Sequence, residues 1–285
     1  MLTHKKLVFI GAHPDDETFS VGATLAQYAE MGVKVYYVCA TRGDVGQAKI
    51  KNLKGFSSLS DLREAELHCA AKELGITEVI HLNFRDSGMV GWDENKHPEA
   101  LISIPLENVI KSIITVIRSI KPDVVITFDP IGGYLHPDHI VVHKATVKAF
   151  YAAGDNKQFP EAGGAYTPQK LYFNVYPRSI LRLIVKFLSF LRINMKRVGF
   201  KRKVNLADMV KTKYPIHAVI RLSKKSIHAR KAAALCHESM IDGKTPYQGI
   251  NGLLIKLFGQ RDYFMRAYPP VKSRLKEHDL FENLK

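Results

Sequence analysis

Two short polar strings carry most of the chemistry this chain could perform. The first is His13-Pro14-Asp15-Asp16-Glu17 and the second is Tyr134-Leu135-His136-Pro137-Asp138-His139. Imidazole and carboxylate donors without thiolates suit zinc, and three protein donors that leave one coordination position open mark a catalytic rather than a structural site. His13 and Asp16, three apart on a turn entering a helix, can face the same way, and His139 can approach from the second string. Asp15 then stands beside the metal without holding it, where a carboxylate can take the proton of a water whose pKa the metal lowers toward ~7. His136 is placed to protonate a departing amine or to hold a tetrahedral oxyanion. A second ligand pair stays open, His139 with His143 at i and i+4 on one helix, although it leaves the first string without a role. The same donors accept iron(II) as well as zinc. Proline follows a histidine in both strings, which restricts that histidine to extended backbone and stiffens the loop. Glu17 reads as an orienter of a ligand rather than a ligand, and His143 and His237 read as structural or as supports behind the ligands.

These strings need elements to hold them. Residues 6–10, 33–40, 78–83 and 123–128 are β-branched and apolar runs of strand length. Residues 23–31 carry helical spacing and stop at Gly32, and a stripe from Leu62 to Leu74 stops at Gly75. The clearest stripe is Leu106, Val109, Ile110, Ile113, Ile114 and Ile117, ended by Lys121-Pro122. Asp61 with Glu64 three residues on reads as a helix start with reciprocal capping. Strand and helix in alternation predict an α/β fold: a Rossmann-like three-layer sandwich whose mostly parallel sheet has helices on both faces. Chemistry in such sheets gathers at the carboxyl ends of strands, where both strings fall. The expected organisation is a catalytic core over residues 1–160 and a C-terminal part over 161–285 that completes the fold.

The two strings, taken with Ala12 before the first and Gly132-Gly133 before the second, resemble the PIG-L/LmbE-like family of zinc-dependent N-acetylglucosaminyl deacetylases. The likeness runs over residues 6–150, with a fainter echo at 231–239, an alanine-rich stretch ending in His-Glu-Ser. It is strongest toward the deacetylases and amidases of mycothiol metabolism, through Asp129-Pro130-Ile131-Gly132-Gly133-Tyr134, Arg63-Glu64-Ala65-Glu66 and Arg85-Asp86-Ser87-Gly88-Met89. The resemblance implies zinc held by His13, Asp16 and His139, Asp15 as general base, and His136 as general acid or oxyanion partner. It also implies that Tyr134 helps polarise the substrate carbonyl and that Arg63 and Asp86 contact sugar hydroxyls; pairing of Arg63 with Glu66 on a helix face is the alternative. The implied reaction removes the acetyl group from an N-acetylglucosamine-type sugar conjugate, free or lipid-linked, with cleavage of a larger acyl group as a neighbouring activity.

Composition bounds the rest. The 285 residues are 46% hydrophobic and 24% charged, which excludes disordered and collagen-like classes. Three cysteines, Cys39, Cys69 and Cys236, lie far apart without C-x-x-C spacing, which argues against a disulfide framework and points to a reducing cytoplasm. No stretch reaches about 18 uncharged apolar residues, so no spanning helix is expected. The net charge of +15 is concentrated: residues 162–237 hold 17 Lys and Arg against the single acid Asp208. Within it, residues 178–203 alternate basic and large apolar residues and read as a basic amphipathic segment. That pattern suits peripheral contact with an anionic membrane at the inner membrane surface, with a helix packed on the core or in a homo-oligomer interface as the alternative. Nucleic acid is the weakest partner, because the aromatics interleave with aliphatics and form no stacking face. A non-catalytic relative docking through this segment is the competing function.

Overall fold

The computed structural model describes residues 2–46, 53–177, 182, 212–241, 260–271 and 275–284. In chain order the principal elements are β1 (Lys6–Gly11), α1 (Asp16–Phe19), α2 (Gly22–Glu30), β2 (Lys34–Thr41), α3 (Leu59–Leu74) and β3 (Glu78–Phe84). They continue with α4 (Leu106–Ile120), β4 (Val124–Phe128), α5 (Gly132–Leu135), α6 (Pro137–Ala152) and β5 (Lys170–Val175). The last are β6 (Ala218–Arg221), α7 (Lys224–Cys236) and β7 (Arg261–Tyr268).

Among the described residues seven strands form one sheet in the order β3-β2-β1-β4-β5-β7-β6. The pairs from β3 through β5 are parallel, and β7 runs antiparallel to both β5 and β6. Leu7, Val8, Phe9 and Ile10 are all fully buried, as a strand covered on both faces requires. From β1 the chain winds outward through β2 to β3, then returns to β4 on the other side of β1. The order therefore reverses between β1 and β4, and a crevice opens at their carboxyl ends. The first polar string follows β1 and the second begins a few residues after β4, so topology alone brings residues about 120 positions apart to one place.

The strands expected at 6–10, 33–40, 78–83 and 123–128 are β1 to β4. Helix α4 buries Val109, Ile110, Ile113, Ile114 and Ile117, the stripe read from spacing, and ends at Lys121 in the left-handed region. The start of α3 needs correcting. Its cap is Ser58, whose hydroxyl accepts the Asp61 N–H at 3.1 Å, so Asp61 is already inside the first turn. Asp61 and Glu64 instead both face Arg42, at 2.9 and 3.4 Å. Serine and aspartate three residues apart offer competing caps, and the extended backbone of Ser58 decides between them.

The cysteine reading also needs correcting. Cys69 on α3 and Cys236 at the end of α7 form a disulfide, and Cys39 is the buried free thiol. The partners are 167 residues apart, and they meet because α7 packs against α3, which no local spacing reveals. With that link present, the cysteines no longer point to a reducing compartment. Among the described residues no helix is long and apolar enough to cross a membrane. The basic amphipathic segment at 178–203 lies outside the described residues apart from Arg182. In denaturant without reductant the protein is expected to titrate one thiol, and three after reduction; three thiols before reduction would overturn the cross-link.

Candidate active site

The crevice is floored by the loop after β1. Asp16 Oδ2 accepts the backbone N–H groups of Ala12 and His13 at 2.9 and 2.8 Å, which fixes the carboxylate and turns Oδ1 toward the second string. There His139 Nε2 lies 3.4 Å from Asp16 Oδ1 and 3.1 Å from His13 Nδ1, and His13 Nδ1 is 3.6 Å from Asp16 Oδ2. Donors around a tetrahedral zinc, with bonds of ~2.0–2.1 Å, are separated by about 3.3 Å. His13, Asp16 and His139 already have that spacing, so the residues present fit a metal. His13, His136 and His139 also bring their ring nitrogens within 4.8 Å of one another.

Charge points the same way. Asp16, Asp86 and Asp138 are buried around His13. Burial alone lowers the His13 pKa, yet Asp86, Asp138 and Asp16 outweigh it and raise it. A pocket with this acid surplus favours a cation, whether a proton on His13 or a metal in its place. His139 remains a neutral donor, pushed down to about 4 by burial, with Asp16 pulling the other way. Its ring stacks on Phe128 at 3.9 Å between centroids, which fixes its plane.

Asp138 was not singled out in the sequence. It is fully buried, and its Oδ2 lies 3.1 Å from His13 Nε2 and accepts the Ser87 N–H at 2.9 Å. A carboxylate on the far nitrogen of a metal-binding imidazole fixes its tautomer and aim. The available signal was a carboxylate between two histidines in a string already read as chemical. Asp86 lies on the same side, with Oδ1 at 3.5 Å from His13 Nε2 and accepting the Gly88 N–H at 2.7 Å.

Asp15 is beside the three donors and belongs to a different network. Its Oδ2 accepts from Arg63 Nη2 at 3.1 Å, and the same nitrogen donates to the Pro14 carbonyl at 2.9 Å. Arg63 Nη1 donates to the carbonyl of Gly43. A Cβ on Gly43, which has φ +64°, would meet that guanidinium at 2.2 Å, so glycine is required there. Burial pushes the Asp15 carboxyl up to about 6 against the pull of Arg63. Arg63 is only 2% exposed, and these donors are spent inside the protein, so the geometry gives it a hold on Asp15 rather than the sugar contact expected of it. It also does not pair with Glu66, which accepts from the backbone N–H and hydroxyl of Ser239. Replacing Arg63 with methionine leaves the partly buried Asp15 without its cation and is expected to cost about 1–3 kcal/mol, read as a lower urea midpoint; an unchanged midpoint would remove this role.

His136 caps α6, its Nδ1 accepting the Asp138 N–H at 3.2 Å. Burial, then the neighbouring His13 and His139, push it down to about 3. The ring is therefore neutral with its proton on Nε2. Tyr134 stands at the rim, 39% exposed, its ring edge-on to His139 at 5.0 Å. Gly132, at φ +62°, lets this loop close on α6, since a Cβ there would sit 2.6 Å from the His139 Cβ. His143 points elsewhere, its Nδ1 on the Phe128 carbonyl at 2.8 Å, so the i, i+4 alternative with His139 is not assembled.

The echo at 231–239 has a structural meaning. His237 Nε2 meets Glu17 Oε1 at 2.7 Å with both side chains fully buried, and Thr18 donates to the same oxygen. Ser239 binds Glu66, and Cys236 is tied to Cys69. The end of α7 is thus latched to α3 and to the residue after Asp16.

A family model described as PIG-L, GlcNAc-PI de-N-acetylase, matches residues 8–150. A 1D-myo-inositol 2-acetamido-2-deoxy-alpha-D-glucopyranoside deacetylase from Streptomyces scabiei is 30% identical over 98% of this chain and 90% of its own length. The protein of the same name from Acidothermus cellulolyticus is 33% identical over 97% and 94%. Among solved structures, the conserved protein TT1542 from Thermus thermophilus superposes with a TM-score of 0.62 at 21% identity, covering 96% of this chain and 98% of the other.

Proposed function

Because the chain belongs to the PIG-L family, we propose that it is a metal-dependent hydrolase that removes the acetyl group from an N-acetylglucosamine-type sugar conjugate. The observation that carries this reading is a carboxyl raised to about 6, Asp15, held by Arg63 beside three donors spaced for one metal ion. A metal held by His13, Asp16 and His139 supplies a Lewis acid for the amide carbonyl and for water. Zinc is the ion these donors suit, and iron(II) is the alternative that metal analysis would distinguish.

The chain's own groups do the proton work. Asp15 accepts a proton from water as the new C–O bond forms. With a pKa near neutrality it can return that proton to the nitrogen as the C–N bond breaks, leaving acetate and a free amine. Neutral His136, with its proton on Nε2, donates to the carbonyl oxygen as that atom gains charge. Tyr134 is placed at the rim to contribute a second donor. Asp138 aims His13, and Arg63 aims Asp15.

The test is primary-amine release by metal-loaded protein from N-acetylglucosamine, from a simple N-acetylglucosaminide and from 1D-myo-inositol 2-acetamido-2-deoxy-alpha-D-glucopyranoside, the compound named for the relatives. Release from at least one, lost on chelation and restored by zinc, is the expected result. No release from any of the three overturns the reading.

The excess of basic over acidic residues at 162–237 supports a second, compatible property. The cytoplasmic leaflet carries anionic lipids that attract polybasic segments, so a cytoplasmic protein with this charge would sit peripherally at the inner membrane surface. Co-sedimentation with anionic vesicles that falls with salt is expected; no binding dismisses it.

A further inference from the structure

A second group of metal-type donors lies outside the active site, at the edge of the sheet. Glu64 and His68 are four apart on α3 and so share one helix face. His81 reaches them from β3, the edge strand that follows α3. One donor atom from each lies within 4.8 Å of the others. The rings of His68 and His81 are 5.9 Å apart between centroids, and His81 Nε2 lies 4.0 Å from Glu64 Oε1.

Two details favour a cation over a chance grouping. His81 Nε2 is buried and makes no hydrogen bond among the described residues, an expensive state for a polar atom unless something binds it. The Glu64 carboxylate is already oriented: Oε2 accepts from Arg42 Nη2 at 3.4 Å, while Oε1, the oxygen facing His81, makes no hydrogen bond among the described residues. Such an outer partner is how proteins aim a ligating carboxylate. The charge of Arg42 is itself met by Asp61 at 2.9 Å, so it does not stand as an unopposed cation beside the group.

We propose that Glu64, His68 and His81 bind a second divalent transition-metal ion of the zinc class, separate from the His13, Asp16 and His139 centre, which clamps α3 to the edge strand. Two imidazoles and a carboxylate suit zinc, with water completing the coordination. Drawing donors from 4.8 Å to the ~3.3 Å of a tetrahedral site asks for shifts of about 1 Å, within reach of the exposed His68 and the half-buried Glu64. Burial holds His81 below its ordinary pKa, which favours the neutral ring that a metal requires.

The experiment dialyses the metal-free protein against zinc chloride and counts bound zinc per chain, with the melting temperature followed in parallel. The parent is expected to bind two equivalents. His68→Ala, a change on an exposed helix face, and His81→Ala should each bind one and keep full deacetylase activity, while losing the rise in melting temperature that the second equivalent gives the parent. A variant combining His68→Ala with His139→Ala should bind none. A parent that binds only one equivalent, or His68→Ala and His81→Ala variants that still bind two, overturns the proposal.

Discussion

Asp15→Asn is expected to keep its active-site metal and to lose about 10²- to 10⁴-fold in turnover. The asparagine can still accept from Arg63 Nη2, which lies 3.1 Å from Oδ2 in the parent, so the loop and the neighbouring Asp16 should stay in place. What it cannot do is take a proton. Asp15→Ala should lose as much activity and also melt lower, because the buried guanidinium of Arg63 then has only carbonyls for partners. Metal content by atomic emission and amine release on the same preparations separate the two effects. Activity within a few fold of the parent in Asp15→Asn would end the general-base assignment. Loss of metal in that variant would show that Asp15 holds the ion.

Much of this site was legible before the fold was. His13, Asp15, Asp16, His136 and His139 sit in two strings whose proline and histidine content leaves few readings, and a parallel sheet puts strings after β1 and β4 at one edge. The four strands and the stripe of α4 were readable because buried parallel strands and amphipathic helices leave periodic patterns. What was missed depends on contacts between distant segments. Strands β5, β6 and β7 lie in the C-terminal part, and their antiparallel pairing through β7 joins distant segments that no local pattern links. The Cys69–Cys236 link, the Glu17–His237 pair and the Glu66–Ser239 pair all follow from the packing of α7 on α3 and α1. Asp138 was visible but unassigned, since only the position of the His13 ring shows which carboxylate stands behind it. Arg63 was expected at the substrate, yet it is buried behind Asp15 because the glycine loop at 43–46 leaves space for its side chain.

His139→Ala is expected to remove the active-site metal and reduce amine release to the uncatalysed background. Its Nε2 is one corner of the three-donor group, and stacking on Phe128 holds the ring in that position. Asp138→Asn tests the layer behind. It leaves His13 in the site but weakens the partner that fixes its tautomer, and losses of about 10- to 100-fold in metal affinity are typical of such a change. Excess zinc should therefore restore Asp138→Asn and fail to restore His139→Ala. His143→Ala supplies the contrast, because the His143 ring is engaged with the Phe128 carbonyl and not with the donors. That variant should keep its metal and its activity, with only a loss of stability. Metal loss in His143→Ala together with retention in a His13→Ala variant would move the centre onto α6 alone and leave the first string without a catalytic role.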